Sequence, residues 1–355
     1  MRYIGNKENI IDKIYLIMKE NGVIGNRFFD FFSGTTSVAR FFKKKGFEVG
    51  SCDLLYLSYC LQKAYIENNE EPTFEKLLPT IPNINKQLFD TSPLETIVNY
   101  LNTIPPIKGF IYSNYTPEGS DNLECPRRYF SSENGAKIDA IRQQFEEWYI
   151  NDKITESEYY ILLTCLIETV PFYANISGVY AAFQKKWDPR ALKTLELRTI
   201  EIVKNNKNNR VYNEDSLSIC NKVDTDILYL DPPYNERQYA PNYHVLETIA
   251  KYDNPKISGV TGMRDYKSQK SSFCSTNTAL RDLNEIAKNC KYKYLVLSYN
   301  SEGIMPQNLI IETLSKYGRV QLEQFEYTRF KSNNKGLSKT KRTVYEQLYI
   351  LEYGK

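Results

Sequence analysis

The sequence predicts an α/β fold with a doubly wound parallel sheet, because short hydrophobic strands alternate with helical segments. The chain begins with a predicted helix over residues 8–21, which is followed by the apolar strand Phe28–Phe32. A glycine-containing turn then leads into a second helix that ends at Gly46. The strand Glu48–Asp53 follows and ends in an acid. This order of helix, strand, glycine turn, helix and strand is typical of the opening of such a sheet.

Strand patterns return in the C-terminal half after a long interruption. They occupy RVYNEDSL, TDILYLDPPYN and KYKYLVLSYNSEG, and the hairpin-like stretches VQLEQFEYTRF and TVYEQLYILEY follow them. The interruption contains proline-rich polar segments and helical patterns such as AKIDAIRQQFEEWY and SEYYILLTCLIETV. We therefore expect residues 1–71 and 206–355 to form one domain, and residues 72–205 to form an inserted, mainly helical one.

The composition is that of a water-soluble globular protein. The chain has 355 residues, of which 41% are hydrophobic and 25% are charged, and no apolar run approaches the roughly 20 residues that span a membrane. The N-terminus has no secretory cleavage site. We therefore expect a cytoplasmic protein with no membrane partner.

Cysteine and histidine usage argues against a metal site. The seven cysteines include no Cys-x-x-Cys pair, and His244 is the only histidine in the sequence. Zinc sites draw their ligands from clusters of these two residue types. We therefore expect chemistry that uses neither a metal ion nor a histidine base.

Four acids stand where predicted strands end: Asp30, Asp53, Asp215 and Asp231. Because the carboxyl ends of parallel strands meet at one edge of a sheet, these acids outline one ligand crevice. Gly34 allows the backbone to approach a ligand closely. Asp53, about twenty residues further on, is placed to accept hydrogen bonds from ribose hydroxyls.

The run LYLDPPYN contains the most specific chemistry. A hydrophobic strand delivers Asp231, and Pro232 and Pro233 then remove two amide donors and stiffen the chain. Asp231 and the nearby carbonyls become rigid acceptors, and Tyr234 adds a flat ring with a polar edge. Two acceptors beside a stacking ring fit the exocyclic amine of adenine or cytosine, whose two N–H bonds point in fixed directions.

Such a site favours methylation of that amine. The amino nitrogen is a poor nucleophile because its lone pair is delocalised into the ring. Accepting both N–H hydrogens favours a tetrahedral nitrogen and localises the lone pair for attack on an electrophilic methyl group. These residues leave the choice between adenine and cytosine open.

Three motifs resemble those of amino-methyltransferases that use S-adenosylmethionine: the catalytic Asp231–Tyr234, the cofactor loop Phe28–Thr35 and the N-terminal Arg2–Lys7. With YNEDSLSI, RQYAPNYHVLETIAKYD and LSYNSEG, they make almost the whole chain similar to the alpha-group (Dam-like) DNA adenine-N6 methyltransferases, most of all to the FokI- and NlaIII-type modification methylases. The resemblance implies a Rossmann-like S-adenosylmethionine-dependent methyltransferase sheet with a target-recognition domain in the insert.

The resemblance also implies roles for individual residues. Asp231 holds the target amine near the methyl donor, and Tyr234 stacks on the flipped base. Lys7 lies near the cofactor carboxylate or the active-site edge, Asp53 binds the ribose, and Asp215 lies near the cofactor adenine. The residues expected to contact the cofactor are Tyr3, Lys7, Asp30, Phe32, Ser33, Gly34, Thr35, Asp53, Asp215, Ser216 and Asp231.

Two residues are not explained by the resemblance. Thr36 stands where many relatives have a second glycine, and its side chain restricts close approach, so the cofactor affinity is not fixed by the resemblance. His244 follows the catalytic loop, and both contact with substrate and a structural role are open for it.

Double-stranded DNA is the implied partner, with the target adenine flipped out of the duplex. Candidate contacts to phosphates or guanine edges are cations of the insert and of the basic stretch Arg329–Arg342. They are Arg127, Arg128, Lys185, Lys186, Arg190, Lys339, Lys341 and Arg342. We expect a monomer or weak dimer that acts as the modification enzyme of a restriction-modification system, and the existence of a cognate endonuclease stays open.

Three alternatives remain at this point. Cytosine-N4 methylation shares the same geometry, although that group more often carries Ser at the first motif position. Protein-glutamine methylation usually shows Asn there and lacks a basic insert of this size. A DNA-binding repressor that has lost catalysis is the alternative from another class, and the intact acid, prolines and tyrosine argue against it.

Overall fold

The computed structural model describes residues 3–82, 91–328 and 343–354. Nine strands lie in these ranges: β1 (Arg27–Asp30), β2 (Glu48–Cys52), β3 (Arg210–Tyr212), β4 (Ile227–Leu230), β5 (Ile257–Ser258), β6 (Met263–Arg264), β7 (Tyr294–Asn300), β8 (Gly318–Thr328) and β9 (Thr343–Tyr353). Eleven α-helices lie there as well: α1 (Ile11–Glu20), α2 (Ser37–Lys44), α3 (Tyr56–Gln62), α4 (Pro93–Thr103), α5 (Phe110–Tyr115), α6 (Ser132–Ile150), α7 (Glu156–Thr169), α8 (Ser216–Ile219), α9 (Ala240–Lys251), α10 (Ala279–Asn289) and α11 (Gln307–Ser315).

The chain divides into two compact units. The larger unit contains Tyr3–Asn69, Val203–Ala240 and Lys267–Lys355, and the smaller unit contains Glu70–Ile202 and Pro241–Tyr266. The sequence pattern placed the insert at residues 72–205. Pro241–Tyr266 is the difference, because the sequence pattern assigned it to the catalytic domain.

The larger unit is built on a seven-stranded sheet with the order β3-β2-β1-β4-β7-β9-β8. The five strands from β3 to β7 run parallel, and β9 pairs antiparallel with both β7 and β8. This confirms the predicted α/β class with a mainly parallel sheet, and it confirms the hairpin-like pairing of the last two strands. The antiparallel pair lies at one edge of the sheet.

Helices cover both faces of this sheet, and consecutive side chains of β1 pack against the two opposite layers. Phe28 stacks on Phe42 of α2, with ring centroids 3.6 Å apart and an interplanar angle of 11°. Phe29 belongs to a hydrophobic cluster on the other face that includes Leu283 of α10 and Ile310 of α11. All four residues of β4 are buried, as a central strand between two parallel neighbours requires.

The smaller unit is mainly helical and contains the hairpin formed by β5 and β6. The buried Arg142 of α6 connects three helices, because its guanidinium donates to the Ile249 carbonyl of α9 and to the Tyr159 hydroxyl of α7, and pairs with Glu146. Asp139 accepts hydrogen bonds from three backbone amides around the start of α5. Arg142 and Asp139 can be buried because each has several hydrogen-bond partners.

None of the helices in the three described ranges has the length and apolar character needed to cross a membrane.

Candidate active site

The candidate site lies in the larger unit, at the carboxyl ends of the parallel strands. Asp30 is the last residue of β1, Asp53 directly follows β2, and Asp231 directly follows β4. Asp215 follows β3 and caps α8, because its Oδ1 accepts a hydrogen bond from the Leu217 amide at 2.9 Å. All four acids line one pocket, as expected for polar residues at strand ends.

The same pocket brings together every residue that the sequence pointed to as a cofactor contact. Its lining includes Tyr3, Lys7, Asp30, Phe32, Ser33, Gly34, Thr35, Asp53, Asp215, Ser216 and Asp231. Of the catalytic motif, Asp231 and Pro233 belong to the lining, whereas Pro232 and Tyr234 lie outside it. The Tyr234 ring is partly buried and packs against the hydrophobic cluster of the sheet.

The glycine loop between β1 and α2 is shaped for close approach. Gly34 has φ +50°, and a Cβ at this position would lie 3.1 Å from Cε1 of Tyr3. The Gly34 amide donates to Asp53 Oδ2 at 2.8 Å, and the Leu55 amide donates to Asp53 Oδ1 at 2.9 Å. The two amides fix the orientation of the Asp53 carboxylate.

Thr36 is strained where the loop enters α2. It is fully buried and has φ +63° and ψ 11°, which is the left-handed conformation that β-branched residues rarely adopt. Its Oγ1 has no hydrogen-bond partner within the described residues. The chain therefore holds a threonine in a conformation that suits glycine, in agreement with the departure noted in the sequence.

Asp231 shares one cation with a second carboxylate. Lys7 Nζ lies 3.2 Å from Asp231 Oδ1 and 2.7 Å from Glu346 Oε1 on β9. Burial opposes the charge of the ammonium, but the two carboxylates outweigh this effect and raise the pKa of Lys7. Burial raises the pKa of Asp231 to about 7, because the Lys7 charge offsets only part of that effect and Glu346 adds to it.

Asp30 adds a further acid beside Asp231. It is 1% exposed, and burial together with the Asp231 carboxylate holds the pKa of Asp30 well above its usual range. Perturbed carboxylates of this kind are typical of functional sites.

The catalytic motif is held rigidly by its surroundings. The buried strand β4 fixes its start, and the Ile304 amide donates to the Tyr234 carbonyl at 3.0 Å. The following segment is fixed as well, because Gln238 Nε2 donates to the Ser271 carbonyl and the Ser271 amide donates to Gln238 Oε1. Asp231 is thus presented from a stiff element, as a preorganised acceptor requires.

Several pocket residues were missed by the sequence reasoning. Tyr239 lines the pocket, and its ring centroid lies 5.6 Å from that of Tyr3. Its position five residues after Tyr234 is the one sequence feature that could have indicated a place in the pocket. Gln269 and Ser271 also line the pocket, and Glu346 contacts Lys7, but no local motif marks these three residues.

The cations predicted to contact DNA differ in their burial and in their partners within the chain. Arg127 is buried, and its guanidinium donates to the Asn114, Gly259 and Val260 carbonyls at 3.0 Å each. Arg190 is exposed and pairs with Asp188 at 2.6 Å. Arg128 donates to the Lys185 carbonyl, while Lys185 and Lys186 are exposed. Lys339, Lys341 and Arg342 lie outside the described residues.

His244, for which two roles were open, is buried among polar partners. It is 1% exposed in the smaller unit, and its Nε2 lies 3.0 Å from the Tyr180 carbonyl and 3.4 Å from the Tyr129 hydroxyl. Burial lowers the pKa of His244 to about 4, so the ring is neutral at physiological pH.

Comparison with known proteins identifies one family of enzymes to which the chain is similar. The profile of a family described as D12 class N6 adenine-specific DNA methyltransferase matches residues 3–310. The chain is 41% identical over 339 residues to the type II methyltransferase M.FokI of Planomicrobium okeanokoites, which covers 94% of this chain and 50% of that protein. It is 37% identical over 356 residues to the modification methylase StsI of Streptococcus sanguinis, which covers 99% of this chain and 52% of StsI.

A relative of similar size matches over its whole length. The type II methyltransferase M.NlaIII of Neisseria lactamica is 35% identical over 359 residues, which cover 99% of each chain. The chain therefore spans about half the length of M.FokI and StsI, and nearly all of M.NlaIII.

The strain at Thr36 predicts a stability difference between two variants. We expect Thr36→Gly to be more stable than Thr36→Ala by about 1 kcal/mol, because alanine retains the cost of the left-handed backbone and glycine removes it. The free energy of unfolding in denaturant measures this difference. The same two substitutions at Thr35, whose φ lies outside the left-handed region, provide the control. Equal stabilities of the two Thr36 variants would contradict the assigned strain.

The raised pKa of Asp231 predicts that its charge destabilises the folded chain. Between pH of about 4 and 7, the unfolded state loses this proton while the folded state keeps it, so wild-type stability falls relative to Asp231→Asn. The full difference is present above pH 7. We expect Asp231→Asn to raise the Tm more at pH 8 than at pH 5.

Asp226 is a control with the opposite sign. Burial opposes its ionisation, but the backbone amides of Asn26 and Arg27 outweigh burial and lower the pKa of Asp226. Asp226→Asn should therefore lower the Tm at pH 8. If Asp231→Asn raises the Tm by the same amount at both pH values, the ionised Asp231 carboxylate does not destabilise the folded chain.

Proposed function

Because the chain belongs to the D12 class of N6 adenine-specific DNA methyltransferases, we propose that it moves a methyl group from S-adenosylmethionine to N6 of an adenine flipped out of double-stranded DNA. One observation carries the proposal. The Asp231 carboxylate, presented by a buried strand and two prolines, lines the same pocket as the Gly34 loop and the acids Asp53 and Asp215. An amine acceptor and a nucleoside-binding crevice thus share one space.

The pocket residues fit S-adenosylmethionine. Gly34 has a positive φ, and a Cβ there would crowd the Tyr3 ring, so glycine keeps this part of the pocket lining without a side chain. The Asp53 carboxylate is the proposed acceptor for the ribose hydroxyls, and Asp215 lies after the neighbouring strand in the same lining. The lining has more carboxylates than cations, which suits a ligand with ammonium and sulfonium charges. When bound, the cofactor supplies an electrophilic methyl group.

The role proposed for Asp231 is to accept an N–H of the target amine. A carboxylate and a carbonyl of the proline-stiffened loop would together take both N–H hydrogens and localise the nitrogen lone pair. Tyr234 would support the base by stacking, and extrusion of the adenine would cost a few kcal/mol of stacking and pairing. Asp231 must be ionised to accept, so its pKa of about 7 controls this step.

DNA binding is proposed for the exposed cations. Lys185, Lys186 and the partly exposed Arg128 belong to the smaller unit, which is proposed as the target-recognition domain. Arg127 would act on DNA only through the backbone that it holds, and Arg190 would have to exchange Asp188 for a phosphate. Phosphate contacts position a duplex, whereas base contacts specify its sequence.

A role in restriction-modification is proposed from the relatives' names. M.FokI and M.NlaIII are type II methyltransferases, and StsI is a modification methylase. We propose that this chain, as a monomer or weak dimer, protects its recognition sites against a cognate restriction endonuclease. Mapping methylated adenines in a genome that expresses the chain would define those sites.

The central test is methyl transfer to DNA. We expect the wild type to incorporate labelled methyl into adenine N6, and we expect Asp231→Ala to lower kcat by at least about a hundredfold, because it removes an acceptor used in the transition state. The acid limb of the pH profile of kcat/KM should fall near pH 7, where Asp231 becomes protonated as the pH decreases. Asp226→Asn, which lies before β4 and outside the pocket lining, shows how far a loss of stability alone lowers kcat.

Calorimetric titration with S-adenosylmethionine accompanies the assay. A chain that binds DNA but neither binds the cofactor nor transfers methyl would favour the repressor alternative. Label on cytosine instead of adenine would overturn the proposed substrate.

The basic stretch before β9 has its own test. We expect Lys339→Glu, Lys341→Glu and Arg342→Glu together to weaken DNA binding and to make the dependence of log K on log salt less steep by about 0.9 for each phosphate that is no longer neutralised. A triple reversal at the exposed Lys288, Lys291 and Lys316 changes the net charge equally and is the control. If both triple variants have the wild-type salt slope, the basic stretch does not bind the duplex.

A further inference from the structure

Glu346 is a buried acid that no sequence motif marks. It lies on β9 opposite Asn300 of β7 and is 1% exposed. An ionised carboxylate is rarely buried to this degree without partners. Two partners meet its Oε1, because Ser298 Oγ and Lys7 Nζ both donate to it, the latter at 2.7 Å. Glu346 is therefore held at a defined position.

Lys7 is shared unequally between two acids. Its ammonium is 2.7 Å from Glu346 Oε1 and 3.2 Å from Asp231 Oδ1, so the shorter contact is with the residue further from the pocket lining. The three charges sum to −1 when both acids are ionised. Lys7 therefore stabilises the Asp231 carboxylate without neutralising the whole cluster.

This division of Lys7 leaves Asp231 able to accept a further hydrogen bond. In the described part of the chain, the ammonium meets Asp231 through Oδ1, which leaves Oδ2 for an incoming N–H. The other titratable groups near Asp231 are Asp30 on β1 and Tyr229 on β4, and neither supplies a cation. If Glu346 lost its charge, Lys7 would turn fully to Asp231 and would compete with the target amine.

We propose that Glu346 is a positioning residue for methyl transfer, which holds the Lys7 ammonium at one oxygen of Asp231 and keeps the other oxygen available to the target amine. This inference rests on the proposed function. Glu346 acts through Lys7 and does not itself line the pocket.

Glu346→Gln tests the inference because it keeps the shape and removes the charge. We expect kcat to fall about tenfold to a hundredfold through the displaced Lys7, with KM values for DNA and S-adenosylmethionine unchanged, since the lost effect belongs to the reacting centre. We also expect the acid limb of kcat/KM to move to lower pH, because Asp231 loses a neighbouring negative charge. Lys7→Met should move the same limb to higher pH.

A matched control lies on the same strand. Glu352 of β9 is exposed, and Glu352→Gln should leave kcat and the acid limb at their wild-type values. A purely structural role of Glu346 would lower the Tm without moving the acid limb. Glu346→Asp keeps the charge but shortens the reach to Lys7, so we expect a kcat between those of wild type and Glu346→Gln. If Glu346→Gln does not fold, the kcat of Glu346→Asp tests the inference instead.

An infrared titration of the cofactor-free chain separates this inference from the proposed function. The carbonyl stretch of a protonated carboxylic acid that is present in wild type and missing from Asp231→Asn reports Asp231. Its midpoint should lie near pH 7 in wild type and lower in Glu346→Gln. Absence of methyl transfer by wild type would sink the proposed function, whereas equal kcat and equal midpoints for Glu346→Gln and an active wild type would overturn the inference.

Discussion

The structure of the site depends on one ammonium group placed between two carboxylates. Lys7 lies near the N-terminus, Asp231 follows the central strand, and Glu346 lies near the end of the chain. Because burying an unpaired carboxylate is costly, this lysine offsets part of the cost of placing the two acids here. The ion pairs thus bring together three segments that are far apart in the sequence. This accounts for a site whose parts are spread over 339 residues of sequence.

The hydrophobic sheet provides the stability that this arrangement requires. Asp30 and Asp231 both have raised pKa values because of burial, so each lowers the stability of the folded chain when it is ionised. The cost is concentrated at the carboxyl ends of β1 and β4, where the preceding residues are buried between helices on both faces. Thr36 adds backbone strain within the same loop region. Strain and desolvation thus coincide with the ligand crevice, as is common at functional sites.

Local sequence was sufficient for the features that repeat along the chain. Hydrophobic period and turn residues predicted the strands, and the rule that parallel strand ends converge brought Asp30, Asp53, Asp215 and Asp231 to one pocket. Glu346 was beyond such reasoning, because its role depends on the register of β9 against β7 and on a lysine 339 residues away. The sequence also shows the charge of Arg127 without its partners, and only the structure reveals that three carbonyls occupy its guanidinium.

The proposed amine clamp, formed by Asp231 and a carbonyl of the proline-stiffened loop, would select an amino group for methylation but not the base that carries it. A carboxylate and a carbonyl recognise two N–H hydrogens on a planar ring, and adenine and cytosine both present that pattern. The distinction must come from groups that meet the rest of the ring edge, and family membership currently supports adenine. Tyr239, Gln269 and Ser271 are among the polar pocket residues beyond the motif that are candidates for such contacts. Base choice is therefore separable from amine activation: the clamp would serve either base, and the surrounding residues would decide between them.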